Sequence, residues 1–251
     1  MTLEVRASLA ELAVAAASDF VSRARATHER AERFSVALSG GKTPRAMFAV
    51  LARPPFKDAV DWRRVHVFWS DERCVDPASD LSNYAAAHKD LLAHVPLPAP
   101  NVHRMRGELE PAAGAAAYCV ELQSFFGNQQ LRLDLVHLGL GPDGHTASLF
   151  PGSPALSVSD VACVANYVGE TVPSPWRLTL TYPAINAAAA VVFLVAGFDK
   201  ANALAAVLKE PCAGAELPAA RVSPLGRRPI WFVDAAAASK LQGRADQSSA
   251  R

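Results

Sequence analysis

From Ser8 to Ala31 the apolar residues Leu9, Leu12, Ala13, Ala16, Phe20 and Val21 recur at steps of three and four, which predicts one apolar face of an amphipathic helix. The period then changes. Phe34-Ser-Val-Ala-Leu38 is a short strand-like run that stops at Ser39-Gly-Gly-Lys-Thr-Pro44, and a helical stretch follows from Arg45 to Leu51. The same order of strand, turn and helix recurs with Val65-His-Val-Phe-Trp69 before the Asn83 to Leu92 helix. Leu133-Asp-Leu-Val-His-Leu138 precedes Gly139-Leu-Gly-Pro-Asp-Gly144, and Val191 to Val195 precedes Gly197-Phe-Asp and a helix from Lys200 to Leu208. Apolar strands alternating with helices predict an open, mostly parallel α/β sheet with helices on both faces.

Further strands are predicted at Val161 to Ala165, Arg177 to Thr181 and Ile230 to Val233, about seven in all. The proline cluster Pro96, Pro98, Pro100 and the stretch Val168 to Pro175 read as short ordered connections, so one domain is expected over residues 1–242, with a polar, disordered tail over 243–251. The longest uncharged apolar run, Ala187 to Phe198, is shorter than the ~20 residues that span a bilayer, and reads as a helix end followed by a buried strand.

The chain has 251 residues, 51% of them hydrophobic, enough for a large core without staples. Its 25 Lys and Arg against 24 Asp and Glu leave no global field for nucleic acid or anionic lipid, so any bound anion must be held locally. The four cysteines, Cys74, Cys119, Cys163 and Cys212, are widely separated and lack the close pairs of a structural zinc site. Isolated thiols, and the charges among the first thirty residues that break any signal-peptide core, suit a cytoplasmic protein.

Ligands of open parallel sheets sit at the carboxyl ends of the strands, where the glycine turns would meet. Gly40 and Gly41 permit close backbone approach, the following helix start presents unpaired N–H groups, and Ser39, Lys42 and Thr43 add polar groups. By itself this turn reads equally as a tight connection, and it lacks Walker A spacing. Asp143 and His145 follow another glycine turn and suit proton transfer, with the carboxylate fixing the imidazole tautomer. Ser70-Asp-Glu-Arg73 closes the Val65 strand with an arginine suited to phosphate or carboxylate. Arg177 and Lys200 are two further cations for a phosphate monoester. Taken singly, each of these is a solvated charge.

As a set, Leu38-Ser-Gly-Gly-Lys-Thr-Pro44, Ser70-Asp-Glu-Arg73 with Ser82-Asn83, Gly139-Leu-Gly-Pro-Asp-Gly-His-Thr-Ala-Ser-Leu-Phe-Pro151, Arg177-Leu-Thr-Leu-Thr-Tyr-Pro183 with Asn186, and Phe193-Leu-Val-Ala-Gly197 with Lys200 resemble the 6-phosphogluconolactonase family, in the same order, over about residues 8 to 234. The resemblance implies a Rossmann-like sheet with a small extra subregion, and a superfamily shared with glucosamine-6-phosphate deaminases. In the deaminases the histidine is followed by Ile-Ala-Phe-Asn-Glu-Pro. Here His145 is followed by Thr146-Ala-Ser-Leu-Phe-Pro151, without that carboxylate.

The resemblance further implies hydrolysis of 6-phospho-D-glucono-1,5-lactone in the pentose phosphate pathway. His145 and Asp143 would be the catalytic pair, with Ser39, Gly40, Gly41, Lys42, Thr43, Arg73, Arg177 and Lys200 holding substrate. No metal or cofactor is expected, nor a nucleic-acid or membrane partner, and the chain is expected to be a monomer or weak homodimer. Two rivals follow from the same residues. Ammonia release from glucosamine 6-phosphate would mark a deaminase, and a non-catalytic sugar-phosphate sensor would be expected to add a helix-turn-helix.

Overall fold

The computed structural model describes residues 2–170, 172–209 and 217–241. The predicted 243–251 tail and Cys212 lie outside the described residues. Six parallel strands form the main sheet: β1 (Thr2–Arg6), β2 (Phe34–Leu38), β3 (Val65–Trp69), β5 (Leu135–Leu138), β8 (Val191–Val195) and β9 (Ile230–Asp234), in the spatial order β1-β9-β8-β5-β2-β3. Every residue of β2, β5 and β8 is buried, so both faces of the sheet are covered, as a parallel sheet requires. The chain runs outward from β2 to the β3 edge, then returns to β5 on the other side of β2, which makes the β2–β5 boundary the switch point where a crevice opens.

A second, antiparallel sheet holds β4 (Asp71–Arg73), β7 (Trp176–Leu180) and β6 (Cys163–Tyr167), in that order. It holds the strands predicted at 161–165 and 177–181, and it is the small extra subregion. Two strands were not predicted. The charges of Glu4 and Arg6 disguise β1, which lies at the sheet edge and is half exposed. Asp71–Arg73 reads as a charged loop, yet Asp71, Glu72 and Arg73 pair in register with Thr179, Leu178 and Arg177.

The first helix, α1 (Leu9–His28), starts one residue after Ser8, whose hydroxyl accepts from the Glu11 N–H as an N-cap. Its buried face includes Leu12, Ala13, Ala16, Phe20 and Val21, as the periodicity predicts. The second, α2 (Lys42–Leu51), begins three residues before the predicted Arg45, directly on the glycine turn, and α3 spans Asn83–Asp90. An unpredicted helix, α4 (Pro111–Phe126), packs on β6 and β7. Three shorter helices, α5 (Tyr182–Asn186), α6 (Ala201–Lys209) and α7 (Ala235–Ala238), complete the chain. Among the described residues no helix is long and apolar enough to cross a membrane.

Candidate active site

At the carboxyl ends of β2, β5 and β8 a cleft of about 640 Å³ is lined by all of the predicted site residues except Asp143: Ser39, Gly40, Gly41, Lys42, Thr43, Arg73, His145, Arg177 and Lys200. Turns more than a hundred residues apart in sequence thus line one cleft. A groove of comparable size, about 600 Å³, between α1 and the Pro55–Ala59 segment brings together no comparable set of charged and glycine-turn residues.

One end of the cleft is the start of α2. Gly41 caps it with φ at +103°, a backbone state that side chains resist, and no side chain caps the helix. Its first N–H groups are therefore left without a side-chain partner, at the positive end of the helix dipole. Gly40 is required for a different reason. A Cβ there would lie 1.8 Å from Asn83 Oδ1, so the turn packs backbone against the Asn83 side chain.

Facing this turn is the small sheet. Alternation along β4 and β7 puts Asp71, Arg73, Arg177 and Thr179 on one side. Arg177 is 8% exposed, and its Nη1 is buried without a hydrogen-bond partner among the described residues. Burial, with the Arg73 charge beside it, pulls its guanidinium below the ordinary arginine range. Arg73 is fixed by a hydrogen bond from Nη1 to the Leu81 carbonyl. Beneath them Glu72 points the opposite way, accepting from the N–H groups of Arg73, Asn83 and Tyr84 and from Ser82 Oγ. Burial pushes the Glu72 carboxyl above the usual carboxylate range, and the four donors oppose that push.

The third wall is the segment after β5. His145 Nδ1 lies 2.6 Å from Asp143 Oδ1, and Asp143 also accepts the His145 N–H at 3.2 Å. A carboxylate can only accept, so Nδ1 carries the hydrogen and Nε2 keeps its lone pair. The Phe150 ring stacks on the imidazole, with centroids 4.1 Å apart. Gly141 makes room for the pair, because a Cβ there would lie 2.1 Å from His145 Nδ1 and 2.6 Å from Asp143 Oδ1. Asp143 itself stands outside the lining and reaches the cleft through His145. The fourth wall carries Lys200, its Nζ 3.0 Å from Asp199 Oδ2.

Four polar cleft residues were not singled out individually by the sequence: Asp71, Asn83, Ser148 and Asp199. For Asp71 a signal existed, since period-two alternation with Arg73 would have shown it on the arginine's side had the segment been read as a strand. Among the described residues no group of His, Cys, Asp or Glu could hold a metal ion.

The fold and site define an open α/β protein whose cleft, at the switch point of the parallel sheet, is suited to an anionic ligand beside a proton-transfer group. Residues 7–231 match the family described as glucosamine-6-phosphate isomerases/6-phosphogluconolactonase, and the chain belongs to that family. It is 41% identical over 213 residues to a 6-phosphogluconolactonase of Nostoc sp., covering 83% of this chain and 85% of that one. Among solved structures, a 6-phosphogluconolactonase from Trypanosoma brucei matches with a TM-score of 0.82 at 29% identity, over 96% of this chain and 98% of that one. A monomeric glucosamine-6-phosphate deaminase shares the fold, with a TM-score of 0.78 at 19% identity over 96% of this chain and all of the other.

Proposed function

We infer that this protein hydrolyses 6-phospho-D-glucono-1,5-lactone to 6-phospho-D-gluconate. The observation that carries the reading is the meeting, in one cleft, of a histidine with a free Nε2 and a set of anion-binding groups. The helix-start amides behind Gly40 and Gly41, the Thr43 hydroxyl, Arg177 and Lys200 hold the 6-phosphate, with Ser39 and Lys42 completing that wall. An incoming phosphate would displace Asp199 from Lys200, an exposed pairing that is easily broken.

His145 Nε2 takes a proton from a water as its oxygen bonds to the C1 carbonyl carbon, and the carbonyl electrons move onto oxygen as a tetrahedral oxyanion. Asp143 holds the imidazolium that results. The oxyanion then collapses, the bond from C1 to the ring oxygen breaks, and His145 returns the proton to that oxygen. Arg73, opposite Arg177, neutralises charge that develops on the substrate. The family partner of this reaction, the deaminase, is disfavoured because Ser148, Leu149 and Phe150 supply no carboxylate after the histidine.

His145→Ala should lower kcat by about 10² to 10⁴ with the fold intact. The check is a lactone-hydrolysis rate measured above the uncatalysed background; near-wild-type turnover would reject the assignment, and ammonia release from glucosamine 6-phosphate would reject the lactonase reading.

A further inference from the structure

Ser148 directs each of its three polar groups to a different strand of the small sheet. Its Oγ donates to Asp71 Oδ2 in β4 at 2.8 Å, and its N–H donates to Thr179 Oγ1 in β7 at 3.2 Å. Its carbonyl accepts from Asn166 Nδ2 in β6 at 2.8 Å. All four residues are buried. The segment they hold starts on the other sheet, because Thr146 Oγ1 donates to the carbonyl of Gly139, just beyond β5, at 2.8 Å. Between the two anchors Ala147 sits at φ +48°, a left-handed state that a non-glycine residue keeps only when its surroundings enforce it.

Asp71 and Thr179, which hold Ser148, lie on the same face of β4 and β7 as Arg73 and Arg177. We infer that Ser148 is a positioning residue. It sets the imidazole of His145, carried by the main sheet, at a fixed distance from the arginines, carried by the small one. Arg177, the small sheet's part of the phosphate grip, and the imidazole, on the main sheet, must stay in register for the binding energy of that contact to aid the reaction. This inference rests on the lactonase reading and adds to it a residue that touches no reacting atom.

The test compares wild type, Ser148→Ala and Thr179→Val on phosphorylated and unphosphorylated gluconolactone, with the affinity for 6-phosphogluconate measured by calorimetry. Ser148→Ala removes the bond to Asp71, and Thr179→Val removes the acceptor of the Ser148 N–H with little change of shape. In each variant kcat on the phosphorylated lactone should fall about 10- to 100-fold, the scale of a small misplacement. The unphosphorylated lactone, which lacks the phosphate that Arg177 grips, should lose far less, and 6-phosphogluconate should bind as it does to wild type. A merely structural role would reduce the active fraction and lower both rates together. An unchanged ratio of the two rates in both variants, or an affinity that falls in step with kcat, would overturn the positioning role. If Ser148→Ala does not fold, Thr179→Val decides alone. A wild type that hydrolyses neither lactone would overturn the functional reading and this inference with it.

Discussion

Arg73 and Arg177 stand directly opposite each other across the β4–β7 ladder, two like charges at one register position. Such a pair is unfavourable in a sheet unless something negative lies against it. Asp71 is a partial answer on the same side, but Arg177 still leaves one buried guanidinium nitrogen unpartnered. An anionic ligand would supply the partner that this nitrogen lacks.

Ligand binding should therefore stabilise the protein strongly. At 6-phosphogluconate concentrations of 100 times Kd, mass action alone gives about 2.7 kcal/mol, readable as a rise in Tm. Arg177→Met should raise KM for the phosphorylated lactone about 10- to 100-fold, the worth of a charge-assisted hydrogen bond. The ligand-free variant should melt no lower than wild type, because a repulsion is removed with the guanidinium. A large drop in its Tm would show that Arg177 serves the fold.

Gly141→Ala tests the Asp143–His145 contact without touching either residue. The new methyl group would occupy the space of the imidazole and the carboxylate, which must separate. An alternative tautomer then becomes available to His145, and kcat should fall by at least about tenfold while phosphate-bearing ligands keep their affinity. Steady-state kinetics beside 6-phosphogluconate binding separate the two effects.

Glu72 is expected to matter for stability. Glu72→Ala would strand three backbone N–H groups and the Ser82 hydroxyl, at about 1–3 kcal/mol for each donor that stays dry. A loss of about 3 kcal/mol or more, near 10 °C in Tm for a chain of this length, is the expected result by thermal denaturation.

His137 gives the fold a pH dependence. It is 1% exposed in β5 with neither ring nitrogen partnered among the described residues, and burial lowers its pKa to about 3. The unfolded chain binds a proton near 6.5 and the folded one does not. Stability is therefore complete above that value and declines as pH falls from about 6.5 toward 3. Between pH 7 and pH 5 the decline should be about 2 kcal/mol. Urea denaturation at the two values should show it, and His137→Leu should lower the total decline by about that amount, with His66, whose pKa burial lowers to about 4, supplying a similar share that stays. An identical slope in the variant would assign the pH dependence elsewhere.

Local pattern was enough for the elements that are apolar and regular. The buried runs of β2, β3, β5 and β8 and the periodic face of α1 are legible because burial on both sides, or on one helical face, leaves its mark residue by residue. The glycine turns and the Asp143-Gly-His145 unit were legible for a related reason, since a tight turn and a nearby proton carrier depend on neighbours in sequence.

Other features depend on partners remote in the chain. Asp71–Arg73 becomes a strand only because β7, a hundred residues later, supplies its hydrogen bonds, and Ser148 acquires its place from Asp71, Asn166 and Thr179 together. By itself the sequence determined that this is an alternating α/β chain with glycine turns suited to an anion and one histidine beside a carboxylate. Only the tertiary structure decided that a second sheet stands across the cleft and opposes two arginines, because the pairing of short polar strands is set by remote backbone partners and not by their own composition.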